Sequence, residues 1–139
     1  MLIGEYQHSL DAKGRISFPS KLREALGASF VVTKGLDNCL FVYRLEDWKV
    51  LEEKTAQLLT SKARQIQRFL FAGAALVEPD KQGRVLLPQK LREHANLGDD
   101  VTVIGVSTRV EIWDTERWNA LNEELTSESI ADAMDELGF

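Results

Sequence analysis

Apolar residues recur along this chain in short bursts separated by turn residues, and the bursts come in the same order twice. In the first half a strand over Gly4–Leu10 runs into the turn Asp11-Ala-Lys-Gly14, then into a short strand over Arg15–Phe18. In the second half a strand over Ala74–Glu78 meets the turn Asp80-Lys-Gln-Gly83 and a strand over Arg84–Leu87. Asp tolerates turn geometry and bonds its own backbone two residues on, and Gly supplies a positive φ. Pro19 and Pro88 suit the first position of a helix, where a missing N–H costs little. They predict short helices over Pro19–Leu26 and Pro88–Ala95, with Gly27 and Gly98 as stops. Two β-rich runs follow each helix: Phe30–Thr33 with Cys39–Tyr43, and Val101–Ile104 with Val110–Trp113. Each half closes with a helix, beginning near Leu45 and near Thr115.

Between the halves, Leu45–Phe71 reads as helical, with Trp48, Leu51, Leu58 and Leu59 along one face. Ser61 is a candidate cap for a second helix containing Ile66, Leu70 and Phe71. The end, Thr126–Leu137, places Ile130, Ala133, Met134 and Leu137 at helical spacing. A short helix with an apolar stripe is rarely stable alone, so this one is expected to dock on the body or on a neighbouring subunit.

The repetition extends to residue identity. Ser9–Glu24 set over Glu78–Glu93 matches at eight of sixteen positions, among them Asp11/Asp80, Gly14/Gly83, Arg15/Arg84, Pro19/Pro88, Lys21/Lys90 and Arg23/Arg92. Leu26-Gly27 then answers Leu97-Gly98, and Trp48 answers Trp118. One supersecondary unit is used twice. Two copies are too few for a solenoid and point to a pseudo-symmetric domain. The division expected is a first repeat with its closing helix over 1–59, a connecting helix over 60–73, a second repeat over 74–125 and an acidic C-terminal helix over 126–139.

The 139 residues are 44% hydrophobic and 28% charged, a globular composition. A cytoplasmic protein is expected, since the first residues lack a signal-peptide pattern and the longest apolar stretch, Phe69–Val77, is far short of a membrane span. The net charge of −5 argues at first against a nucleic-acid partner. Six acids and no cation fall in residues 119–139, however, and removing those six charges leaves +1. Local patches, rather than net charge, decide electrostatic recognition.

The two turns carry the chemistry. Each sets cations around a glycine that lets the backbone approach a surface closely: Lys13, Gly14 and Arg15 in one, Lys81, Gly83 and Arg84 in the other. Arg is a planar fork that reads guanine through two hydrogen bonds, and Lys neutralises phosphate as a point charge. Lys21, Arg23, Lys90 and Arg92 follow on the short helices. A hairpin turn requires the Asp11 or Asp80 position and the glycine, but not an arginine directly after them. Keeping both cations through duplication therefore favours DNA contact over a merely solvated face.

Other residues carry less. His8 and His94 lie in unlike surroundings with no metal-ligand spacing. His8, Ser9 and Asp11 are strand neighbours, poorly placed for a triad. No phosphate-binding or dinucleotide glycine motif is present. Trp48, Trp113 and Trp118 read as core or interface anchors, and Cys39 as a small core residue. No cofactor, metal or enzymatic activity is expected.

The pattern Asp-x-x-x-Arg, used twice in a chain of this length, resembles the MraZ family of bacterial transcriptional regulators. The resemblance spans the chain through Gly4-Glu5-Tyr6-Gln7-His8, Leu10–Arg15, Gly35-Leu36-Asp37, Glu46-Asp47-Trp48, Asp80–Arg84, Val103-Ile104-Gly105-Val106 and Glu111-Ile112-Trp113. It implies an α+β fold, the swapped-hairpin, β-barrel-like unit of the AbrB and SpoVT type, duplicated with flanking helices about a pseudo-two-fold axis. It also implies a ring-shaped homo-oligomer at the nucleoid that binds short direct repeats in double-stranded DNA and represses its own division and cell-wall operon. Ring interfaces are expected on the middle and C-terminal helices, including Leu58, Ile66, Leu70 and Ile130. The alternative is an antitoxin-like or partner-binding oligomeric module whose acidic tail docks another protein without reading DNA sequence.

Overall fold

The computed structural model describes residues 1–58 and 61–139. Strands β1 (Leu2–Ser9) and β2 (Arg15–Ser17) precede helix α1 (Ser20–Leu26), and β3 (Phe30–Lys34), β4 (Leu40–Arg44) and α2 (Leu45–Ala56) follow. Helix α3 (Ser61–Ile66) runs into a π-helical turn, Gln67–Phe71. The motif then repeats as β5 (Ala75–Val77), β6 (Arg84–Leu86), α4 (Gln89–His94), β7 (Asp100–Ser107), β8 (Val110–Asp114) and α5 (Thr115–Glu123), and α6 (Ser127–Glu136) closes the chain.

All strand pairs among the described residues are antiparallel. One six-stranded sheet has the order β1-β7-β8-β4-β3-β5, and β2 pairs with β6 in a second, two-stranded sheet. The larger order reads the same from either end once the halves are exchanged, so a pseudo-two-fold axis passes between β8 and β4. Each half gives its opening strand to the other: β1 pairs with β7, and β5 with β3. β1 makes eight register pairs and β5 only three. Pro79 follows β5 closely and has no N–H to extend a ladder.

The main core is assembled from both halves. Ile16 and Val85 face each other across the β2–β6 pair and are fully buried. Leu22 of α1 and Leu91 of α4 close over them, with Phe30, Val42, Val103 and Ile112 from the larger sheet in the same cluster. Burial of each such side chain stabilises by about 1.5–3 kcal/mol. On the sheet's other side Cys39, Phe41, Ile104, Trp113 and Trp118 form a smaller cluster. Trp48 is half-buried and packs its ring 5.0 Å from that of Phe71.

Several sequence expectations need correction. Pro19 and Pro88 sit at the N-cap positions, one residue before the helices, with extended ψ angles of 132° and 146°. Gly27 ends α1 as expected, at φ 95°. Gly98 does not end α4. That helix stops at Ala95, and Asn96 takes the left-handed conformation at φ 50°, a geometry that Asn tolerates better than most residues. Ser61 is itself helical. Leu58 lies beyond α2, because Gln57 and Leu58 donate to the carbonyls of Lys54 and Thr55, tightening and ending the last turn. Leu59, and the boundary drawn between residues 59 and 60, fall outside the described residues. Finally, α6 does not dock on its own body: Ile130, Met134 and Leu137 are all exposed.

Candidate nucleic-acid interface

The two turns are built alike, atom for atom. The Oδ1 of Asp11 accepts hydrogen bonds from the amides of Lys13 and Arg15, both at 2.9 Å. Its Oδ2 accepts from Nε of Arg15 at 2.8 Å. In the second turn, Oδ1 of Asp80 accepts from the amides of Gln82 and Arg84, and Oδ2 accepts from Nε of Arg84 at 2.8 Å. The amides of Asp11 and Asp80 each also donate to the backbone carbonyl of the arginine four residues on, both at 2.9 Å. One carboxylate thus folds the loop and aims the guanidinium. Nε is consumed by this lock, and the terminal Nη groups form the outward edge of each fork.

The same bonds set the electrostatics. The amide of Arg15 holds the Asp11 carboxyl below its ordinary range against the opposing effect of desolvation, and the Arg15 side chain and the Lys13 amide add to the lowering. Asp80 is lowered in the same way by Arg84 and Gln82.

Pairing of β2 with β6 brings the two turns together. Arg15 lies opposite Leu86, and Ser17 opposite Arg84, so the two arginines are diagonal neighbours. Alternate residues on a strand face opposite sides. With Ile16 and Val85 inward, Arg15, Ser17, Arg84 and Leu86 share the outer face. Leu86 is 58% exposed. Ser17 and Leu86 were not singled out from the sequence, although the alternation of these short strands carried the signal.

The turns are also interlocked across the repeats. Phe18 donates its amide to the Gly83 carbonyl, and Leu87 donates to that of Gly14, both at 2.9 Å. Arg23 donates Nε to the Phe18 carbonyl, and Arg92 to that of Leu87, both at 3.0 Å. Each of these guanidiniums lies against the glycine of the other repeat's turn. A Cβ on Gly83 would stand 2.7 Å from Cζ of Arg23, and one on Gly14 2.9 Å from Cζ of Arg92. Both glycines have positive φ, 77° and 82°. Only a residue without a side chain meets both conditions. Arg23 and Arg92 are therefore half-buried parts of the crossing, unlike Lys13, Lys21, Lys81 and Lys90, which are exposed. The lysines differ between the turns: Lys81 follows Asp80 directly, and Lys13 stands second after Asp11.

These features define a class: a duplicated α+β protein that presents two two-fold-related, aspartate-locked arginine turns on one ribbon. The family model described as "MraZ protein, putative antitoxin-like" matches the chain twice, over residues 1–69 and 70–137. The chain is similar over its full length to proteins named "Transcriptional regulator MraZ". It is 58% identical to that of Acetivibrio thermocellus and 59% identical to that of Caldicellulosiruptor saccharolyticus, with all of each protein covered. The corresponding figure for Clostridium tetani is 53%, again over the whole of both chains. The chain belongs to the MraZ family.

Proposed function

We propose that this chain is a sequence-specific, DNA-binding transcriptional regulator that represses its own division and cell-wall operon by binding short direct repeats upstream. One observation carries the reading: two identically locked arginine turns, set side by side by the β2–β6 pairing. A guanidinium held by a carboxylate arrives at a base edge already oriented, so little side-chain entropy remains to be lost. Arg15 and Arg84 read guanine, Lys13, Lys81, Lys21 and Lys90 meet phosphates, and Arg23 and Arg92 hold the turns in place. Asp11 and Asp80 act as the turn-forming residues. The names of the relatives and the exchange of opening strands between halves support the reading, the latter being what a duplicated swapped-hairpin unit of the AbrB type requires.

One chain offers only a few base contacts, whereas specific affinity typically lies at 10⁻⁸ M or tighter. Several copies acting together supply the difference. A cyclic ring presents its surfaces in one sense and suits direct repeats, whereas a two-fold dimer suits palindromes. We therefore place the protein at the nucleoid as a ring-shaped homo-oligomer. A gel shift with DNA from upstream of the gene, titrated with salt, tests the reading. Selective retardation that weakens steeply with salt supports it, and equal binding to scrambled DNA refutes it. A second reading, an antitoxin-like module whose tail docks another protein, draws on the family description and on the exposed acidic α6. It predicts partner binding that is lost with residues 126–139 and unaffected by Arg15→Ala.

A further inference from the structure

The two halves part company at a cavity of about 380 Å³ between the start of β5, the first turn of α4 and the end of β3. Ala74, Ala75, Pro88 and Leu91 give it an uncharged wall. Lys34, Arg68 and Lys90 stand around it, with no acid among the lining residues. Among the described residues none of these three cations is in a salt bridge.

The pseudo-two-fold relation makes the divergence plain. Val32 pairs with Ala75, and its counterpart Val103 pairs with Tyr6. Gly73, Ala74, Ala75 and Lys34 therefore stand where Gly4, Glu5, Tyr6 and Gly105 stand in the other half. Tyr6 packs against the main core and folds its ring over Gly4, where a Cβ would lie 2.9 Å from the ring. Ala75 has no ring to fill the matching space. Charge changes with it: an acid, Glu5, is replaced by Ala74, and Gly105 is replaced by Lys34. Arg68 is added from the segment that connects the halves. Lys34 is also held in place. A Cβ on Gly73 would stand 3.0 Å from Cε of Lys34, and the ammonium lies 5.3 Å from the centre of the Phe69 ring. A cation positioned in advance loses less entropy when a ligand arrives.

We infer that this cavity binds the di- or triphosphate group of a small molecule, through Lys34, Arg68 and Lys90, with the uncharged part of the ligand against Ala74, Ala75, Pro88 and Leu91. Three converging cations repel one another unless a multiply charged anion lies between them, and a single carboxylate leaves most of that charge unmet. Phosphate oxygens accept strong charge-assisted hydrogen bonds from both Lys and Arg. The cavity falls within the range of about 300–1,000 Å³ usual for small-molecule sites. The chain as a whole carries −5, so it does not gather anions in general, and attraction has to come from a local patch. Lys90 is the one cation shared with the DNA contacts proposed above.

Calorimetric titration of the full chain with inorganic pyrophosphate, at low salt and without DNA, tests the site. Wild type should bind saturably, with one ion per chain. Arg68→Ala and Lys34→Ala should each weaken binding by about tenfold, the scale of one lost charge-assisted contact. Ala75→Tyr, which supplies the ring found in the first half, should block it. Lys62→Ala removes the same charge from an exposed position on α3 outside the cavity and should leave binding unchanged. Arg68 and Lys62 are both exposed, so that pair decides the matter even if Ala75→Tyr folds poorly. Absence of saturable binding would overturn the site, as would equal weakening by Lys62→Ala and Arg68→Ala, which would mean general attraction only. Gel shifts with the upstream DNA identify the source of the phosphate. Lys34→Ala and Arg68→Ala should retard DNA as wild type does; a loss of DNA affinity in both would assign these cations to the DNA backbone and overturn the small-molecule site. Pyrophosphate binding is read without DNA, so a failure of the DNA reading leaves it standing.

Discussion

Replacing Gly83 by alanine tests whether the two repeats are interlocked as the geometry requires, and the effect can be divided in advance. A non-glycine residue in the left-handed region costs about 1–2 kcal/mol. The new Cβ would also lie 2.7 Å from Cζ of Arg23. That guanidinium must swing away and give up its bond to the Phe18 carbonyl. Such a bond contributes about 1 kcal/mol net where it is partly exposed to water. Gly83→Ala in the wild-type background should therefore destabilise by about 2–3 kcal/mol, which combines these two terms. In an Arg23→Ala background only the backbone term remains. The double-mutant cycle should show a coupling of about 1 kcal/mol, roughly fivefold in the unfolding constant. Urea denaturation at a single protein concentration measures it, since oligomerisation makes stability concentration-dependent. Gly14→Ala with Arg92→Ala should behave in the same way, because Arg92 lies 2.9 Å from the Gly14 Cβ position. Additive effects within about 0.3 kcal/mol in both cycles would mean that these arginines do not press on the opposite turns.

Arg15→Ala should weaken specific operator binding by about 1–3 kcal/mol, one lost bidentate base contact, whereas Lys13→Ala should weaken all sequences alike and flatten the salt slope by about one unit; gel shifts across a salt series separate the two. Arg84→Ala should also reduce operator affinity, and a variant indistinguishable from wild type in the same assay would confine the contact surface to the first repeat. Because Asp11 and Asp80 titrate below their ordinary value of 3.8, their contribution to turn stability is complete above that pH and is lost only as pH falls through the lower folded-state values. The Lys13 and Gln82 amide resonances should therefore hold still down to about pH 4 and move below it; movement at pH 5–6 would contradict the lock. Cys39 is buried and its thiol is pushed up to about 12, first by desolvation, so the native protein should resist a thiol reagent at pH 8 and react fully once unfolded.

What the sequence determined by itself was local. The Asp-x-x-Gly-Arg turns were legible because the bonds that Asp11 and Asp80 make all join residues within four positions of one another, one carboxylate to two amides and a guanidinium. The strands on either side, and helices beginning at Leu45 and Thr115, were legible for the same reason. The residues matched between the halves also showed that the same turn is built twice. Tertiary structure decided everything that depends on distant parts of the chain. That β1 joins β7 and β5 joins β3 follows from the shared burial of both halves in one core, and strand periodicity reads the same whichever partner covers it. That Arg23 leans on Gly83 required the β2–β6 crossing, so a cation that reads from the sequence as a candidate DNA contact on a short helix also became a support of the opposite turn. Ser17 and Leu86 joined the arginine face only once the register placed Ser17 opposite Arg84. The stripe on α6 was visible in its spacing, but what it leaves uncovered was not. A helical period records that one face is apolar, and only the folded chain shows that this face is left open.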